Sequence, residues 1–148
     1  MSATWTGHNN VGIGATALMS VLRYSKRLTL PRALLVMPLV MHEATLALLS
    51  RADTRKREAA ALTSLRPDLF ANFPSRFNDS LVVTVNAIQL LVDLRFVRLQ
   101  SDLELVRSLS VNGEFGSRAT RIDKAGENVA ALLASPEDEL YLNFRVQL

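Results

Sequence analysis

The sequence has no cysteine and few aromatic residues, and both shortages limit what the protein can be. Without cysteine the chain can form neither a disulfide framework nor a thiolate metal site. This composition fits a reducing compartment, and we expect the protein to be cytoplasmic. Aromatic residues make up only 6% of the 148 residues, whereas hydrophobic residues reach 49%. We therefore expect an ordered chain whose core is built mainly from aliphatic side chains.

The residue patterns that catalysis, metal binding or nucleotide binding would need are also missing. The two histidines are His8 and His42, and the pair His42-Glu43 lacks the second histidine of a metalloprotease helix. Gly12 and Gly14 belong to neither a dinucleotide motif nor a phosphate loop, but they can let the backbone pack closely against a neighbour. We predict no enzyme activity, no cofactor, no metal site and a structural role for His42. Any ATP must then be bound by a partner.

No targeting or membrane segment is evident. Residues 1–5 contain no basic region followed by an apolar run, so we expect no signal peptide. The most apolar stretch, residues 28–49, is interrupted by prolines and charged residues, whereas a membrane span needs about 20 mostly apolar residues. We expect this stretch to be buried core, with no membrane association.

Apolar residues recur at helical spacing along most of the chain. The length suits one domain over residues 1–148, of which we expect residues 1–8 to be a flexible arm. A first helix is predicted after a cap at residues 9–10, and a long helix after a cap at residues 79–80. Pro38 should interrupt the helical structure between them.

A short β-hairpin is predicted directly after the long helix. Segments 96–99 and 103–106 alternate in polarity, and residues 100–102 are typical of the turn between two strands. A long helix that leads into a hairpin is typical of the second half of a winged helix-turn-helix domain. The predicted fold class is therefore mostly α with a small β-hairpin, as a winged-helix-like domain with extra N- and C-terminal helices.

Two groups of basic residues are candidates for contact with DNA or with an acidic partner. The chain has 17 basic and 14 acidic residues, so its net charge of +3 is mild. Arg118 and Arg121 lie three positions apart and would share a helix face. Solvated faces with surface ion pairs are the commoner use of such residues, and the sequence leaves both alternatives open. The candidates are Arg51, Arg55, Lys56, Arg57, Arg118, Arg121 and Lys124.

The long helix is better suited to a protein interface than to a DNA groove. Between Ser80 and Leu94 its only charged residue is Asp93, and its only amides are Asn86 and Gln89. Base and phosphate contacts need Arg, Lys, Asn or Gln on the exposed face. An apolar, uncharged face suits a protein partner instead.

Further interface candidates come from the proline-flanked aromatic segment, the hairpin and the last helix. Aromatic side chains in such a segment can anchor a partner or fill the core, and we expect at least two of Phe70, Phe73 and Phe77 to be buried. The candidates for a protein interface are Phe70, Phe73, Val97, Leu99, Tyr141 and Phe144.

Three stretches together resemble a known family. They are the early helix with the apolar run of residues 30–42, the long helix into the hairpin at residues 86–105, and the closing helices with an acidic spacer at residues 124–146. Their order resembles the middle component, the small subunit, of three-component ABC systems, as in Lamassu-type anti-phage defence.

The resemblance implies a bacterial adaptor without chemistry of its own. Such middle components lie beside an ABC ATPase of the structural-maintenance-of-chromosomes (SMC) type and connect it to an effector, often a nuclease, so that DNA is met mainly through the complex. We then expect the apolar stretches to exceed what the monomer's interior requires. The alternative is a stand-alone winged-helix DNA-binding regulator, whose duplex binding would depend on Arg55, Lys56 and Arg57.

Overall fold

The computed structural model describes residues 3–51, 58–108 and 116–147. Within them the chain is mostly helical with a small antiparallel sheet, so this part of the predicted fold class is confirmed. The helices are α1 Ala3–Ser25, α2 Leu30–Ala33, α3 Val36–Val40, α4 Glu43–Leu49, α5 Ala59–Leu65, α6 Pro67–Phe70, α7 Phe73–Asp93, α8 Ser117–Leu133 and α9 Glu137–Phe144. The strands are β1 Arg27–Thr29, β2 Val97–Leu99 and β3 Asp102–Leu105, in the spatial order β1-β3-β2.

Helix α1 is the central element and packs against both α7 and α8. Every residue from 14 to 22 is buried, so this part of α1 is covered on all sides. A helix that is apolar all round is stable only inside a protein, and α7 and α8 supply that cover.

Two glycines allow these helices to approach closely. A Cβ atom at Gly126 of α8 would lie 2.5 Å from the carbonyl oxygen of Ser20 in α1. A Cβ at Gly14 would lie 3.1 Å from the Cβ of Ala87 in α7. The close packing predicted at Gly14 is confirmed, whereas Gly12 has nothing within 4 Å of its added Cβ.

The chain between β1 and α4 folds as predicted from its prolines. Thr29 caps α2 by accepting a hydrogen bond from the backbone N–H of Arg32 (3.4 Å), and Pro31 lies in the first turn. Pro38 has no N–H to donate to the carbonyl of Leu34, and the helical structure breaks one turn before it, between α2 and α3.

The apolar stretch of residues 28–49 belongs largely to the core. All five residues of α3 are buried, as are Leu46 and Leu49 of α4. Among the described residues no single helix could cross a membrane, and the one pair that could by length and composition, Leu30–Val40 with Glu43–Leu49, is bent by 107°. Because the monomer buries this stretch itself, our expectation that it exceeds the needs of the interior is wrong here.

The start of α1 differs from the prediction. The helix already begins at Ala3, so residues 3–8 of the predicted arm are helical, and the predicted cap at residues 9–10 lies inside the helix. Tertiary packing stabilises helices more than local propensity does. The contacts of α1 with α7 and α8 therefore outweigh the local stop signals.

The start of α7 also lies earlier than predicted. This helix begins at Phe73 with Pro74 in its first turn, and the predicted cap at residues 79–80 lies within it. Proline suits a first helical turn, and the earlier start places Phe73 and Phe77 on the buried face.

The predicted hairpin is confirmed, and a third strand joins it. Strands β2 and β3 pair antiparallel, and β1 pairs with the other edge of β3, where Arg27 lies opposite Glu104. Left-handed residues lead into two of the strands, Lys26 (φ 67°) into β1 and Arg95 (φ 64°) into the segment before β2. The three residues of β1 are too few to show an alternating pattern, so sequence reasoning missed this strand.

Replacing Gly126 by Ala should destabilise the protein, because the added methyl group meets backbone atoms of α1 that cannot move aside. We expect the free energy of unfolding to fall by about 1–3 kcal/mol, the usual cost of overpacking. Gly12→Ala is the matched control, since its Cβ meets nothing within 4 Å, and it should gain about 0.5–1 kcal/mol. Urea denaturation followed by circular dichroism measures both, and equal stabilities would contradict the close crossing.

Candidate functional site

The described residues contain no group of three or more His, Cys, Asp or Glu side chains that could hold a metal ion. His42 lies at the start of α4, where its Nδ1 is 2.8 Å from the hydroxyl of Thr45. Burial and the nearby charge of Arg76 lower the pKa of the His42 imidazole. These contacts fit the structural role predicted for this residue, and candidate functional features are therefore sought on the surface.

Two of the predicted basic residues on α8 tie it to the α3–α4 connection. Arg121 donates to both carboxylate oxygens of Glu43, at 2.6 and 3.0 Å, and this hydrogen bonding lowers the pKa of Glu43. Arg118 donates to the carbonyl of Met41 at 3.2 Å, and its buried Nε has no hydrogen-bond partner in the described structure. Both side chains thus point to the same stretch of chain, as their spacing predicted, but toward protein groups. Lys124 is exposed.

The other predicted basic group lies mostly beyond the described structure. Arg51 is exposed, and its carbonyl accepts a hydrogen bond from the side-chain amide of Asn128 in α8. Arg55, Lys56 and Arg57 lie outside the described residues. Contact of either group with DNA or an acidic partner stays a prediction.

Most of the predicted interface residues lie in the core instead. The rings of Phe70 and Phe144 stack with centroids 5.2 Å apart, and Phe73 lies 4.7 Å from Phe144. These three residues and Val97 are buried, so the prediction that they are surface-exposed anchors is wrong. The physical reason is that a chain with so few aromatic residues needs them to fill its interior. The expectation that at least two of the early phenylalanines are core residues is confirmed.

The two remaining candidates, Leu99 and Tyr141, keep some exposure. Leu99 is exposed on β2, and Tyr141 is half-buried. The Tyr141 ring packs edge-on against Phe77, and its hydroxyl donates to the carbonyl of Pro31. Burial and the nearby charge of Glu137 raise the pKa of Tyr141 to about 12. These contacts join α9 to α7 and α2.

A continuous exposed face runs along α7, opposite its contacts with α1. Val82 and Val85 are 70% and 57% exposed at its middle, while Ile88 and Leu91 on the other side are buried. We call the outer face of α7 the set Asn78, Asp79, Val82, Val85, Asn86, Gln89, Leu90 and Asp93.

The outer face of α7 is apolar and amide-rich at its middle and acidic toward its ends. Its only charged residues are Asp79 and Asp93, and Gln89 donates to Asp93 at 2.9 Å. Arg76, the one basic residue of this helix, donates to the carbonyls of Pro38 and Leu69. The sequence predicted an uncharged protein-binding helix but did not single out Val82 and Val85. Their spacing of three residues within the β-branched run is the signal that could have done so.

The buried position of Tyr141 predicts an unusual titration. In a Tyr24→Phe variant it is the only tyrosine, since the chain has two. Its tyrosinate absorbance should appear with a midpoint at about 12 in the native chain, against about 10 in urea.

The same shift gives the sign of its effect on stability. The unfolded chain loses this proton first, so the stabilisation is complete below pH 10 and is lost as pH rises toward about 12. A native midpoint of about 10, with circular dichroism showing an intact fold, would contradict the buried hydroxyl.

Comparison with known proteins identifies the family. No curated protein and no solved structure matches the chain. The family model of the ABC-three component (ABC-3C) system Middle Component 3 matches residues 15–148, which include most of α1 and every later element. The family resemblance stated from the sequence is thereby confirmed. The chain belongs to the Middle Component 3 family of ABC-three component systems.

Proposed function

We propose that this middle component is a non-catalytic adaptor that docks the SMC-type ABC ATPase of its system through the outer face of α7 and connects it to an effector. The observation that carries the proposal is the exposure of Val82 and Val85 at the centre of a 21-residue helix. The fold does not need these side chains, whereas burying each against a partner would contribute about 1.5–3 kcal/mol at most.

The arrangement of α7 supports a rigid docking surface. Its inner face is held by α1, where Gly14 lies against Ala87, and its C-terminal end leads into the sheet. A docking face that is already ordered loses little conformational entropy when a partner binds. The adaptor can therefore pass a change of shape in the ATPase to an effector, often a nuclease in such systems, without moving its own core.

The order of the elements supports a winged-helix-like description. A first helix, a first strand and further helices precede α7, and the β2–β3 hairpin follows it, with β1 completing the sheet. Helices α8 and α9 are then the extra C-terminal helices. In a cytoplasmic anti-phage complex of the Lamassu type, this unit would serve as a protein-binding module.

The alternative of a stand-alone DNA-reading regulator is poorly supported by α7. A recognition helix contacts bases and phosphates with Arg, Lys, Asn or Gln on its exposed face. The outer face of α7 offers two amides, Asn86 and Gln89, but its charged residues are both aspartates. A helix with this face would be repelled by the phosphate backbone.

Charge placed at the centre of the outer face should abolish docking. We expect Val82→Asp with Val85→Asp to weaken binding to the ATPase component of the same system at least about tenfold, because central anchors dominate interface energy. Val and Asp have similar helix propensities, so the fold should persist. Titration calorimetry with the purified ATPase measures the affinity.

Leu142→Asp on α9 is the matched control, because Leu142 is 77% exposed on a different helix. It should bind the ATPase as the unmodified chain does. An unchanged affinity of the Val82/Val85 variant would show that another surface docks the ATPase. Failure of the unmodified chain to bind the ATPase would refute the adaptor proposal itself.

A further inference from the structure

The sheet brings basic residues from three distant segments to one of its ends. Strands β1 and β2 both run antiparallel to β3. The starts of β1 and β2 therefore lie beside the end of β3. We call the basic end of the sheet the exposed residues gathered there, which are Lys26, Arg27, Arg95, Arg98 and Arg107.

Little negative charge balances this group. Arg27 and Arg98 flank the same carboxylate, Glu104, on the exposed side of β3, with N–O distances of 2.5 and 2.9 Å. Lys26 and Arg95 have no carboxylate partner within the part of the chain that the structure describes. Five cations against one carboxylate exceed the net charge of +3 of the entire chain.

Arg107 extends the group through contacts that leave its charge unneutralised. Its guanidinium donates to the carbonyl of Leu94 at 2.9 Å and lies 4.2 Å from the centre of the Phe96 ring. Cation–π and carbonyl contacts fix the position of an arginine without supplying a countercharge. Its planar donors stay suited to an anionic oxygen.

Helix dipoles account for only part of this pattern. A base at the C-terminal end of a helix is favoured by the partial negative charge there, which covers Lys26 after α1 and Arg95 after α7. Arg98 lies within β2, and Arg107 follows β3. The convergence of all five residues therefore has no explanation in local stability.

We propose that the basic end of the sheet binds the phosphate backbone of nucleic acid without reading its sequence. Four of the five residues are arginines, whose forked donors match phosphate oxygens. Neighbouring strands lie about 5 Å apart, so Arg27 and Arg98 on either side of β3 can reach separate phosphates. This function goes beyond docking of the ATPase, because it lies on different residues from the outer face of α7.

The test measures binding of the isolated full chain to a fluorescein-labelled DNA duplex of arbitrary sequence by fluorescence anisotropy at several salt concentrations. The logarithm of the affinity should fall linearly with that of the salt concentration, by about 0.9 for each phosphate contact. The test variant combines Lys26→Asn, Arg95→Asn and Arg98→Gln. Asparagine tolerates the left-handed backbone of the first two positions.

We expect the test variant to bind at least about tenfold more weakly at low salt and to lose about two units of the salt slope. The control variant combines Arg121→Gln, Lys124→Gln and Arg145→Asn, which removes equal charge, and Arg145 also has a left-handed backbone (φ 61°). The control should keep the slope of the unmodified chain. A variant carrying Val82→Asp should also keep that slope, which separates this result from docking of the ATPase.

Four results would overturn the proposal. They are absence of salt-dependent binding in the unmodified chain, equal losses in test and control variants, retained binding by a folded test variant, and competition by polyglutamate as strong as that by unlabelled duplex. The last result would assign the basic end of the sheet to an acidic protein. If the test variant does not fold, hydrogen exchange of the unmodified chain with duplex decides, because protection must appear at residues 26–27 and 95–98.

Discussion

The close crossing of α1 and α8 is the constraint on which the rest of the structure depends. At Gly126 the backbone of α8 comes so near to Ser20 that no side chain fits between them. The buried hydroxyl of Ser20 donates to Asp123 at 2.9 Å, and Arg23 donates to the same carboxylate at 2.8 Å. These bonds satisfy polar groups that the crossing removes from water. They join segments about a hundred residues apart, and α7 then packs on another side of α1.

This arrangement explains why the molecule has two separate surfaces for macromolecules. The inner face of α7 is covered by α1, so its outer face, with Val82 and Val85, contributes little to folding and is available to a protein partner. The basic end of the sheet lies where the chain leaves α1 and α7. One surface is apolar with acidic ends and the other is cationic, so they suit different partners. A middle component with both could hold a protein and a polyanion at fixed relative positions.

Sequence reasoning succeeded where the determining interactions are local. The break before Pro38, the hairpin and the shared face of Arg118 and Arg121 follow from ring sterics, alternation and helical spacing. It failed where a side chain had to be assigned to core or surface. Phe144 has the same character in either place, and only its stacking on Phe70 shows that it is buried. The exposed position of Val82 was equally invisible to hydrophobicity alone.

The sequence by itself determined the family, the mostly helical class and the positions of most helices and of the hairpin, because backbone sterics and apolar periodicity act within a few residues. Only the tertiary structure decided which distant residues meet. Arg121 pairs with Glu43 across 78 positions, and Lys26 and Arg107 reach the same end of the sheet through the antiparallel pairing of β1 with β3. Such meetings depend on how the whole chain buries its apolar surface, and no local pattern contains that information.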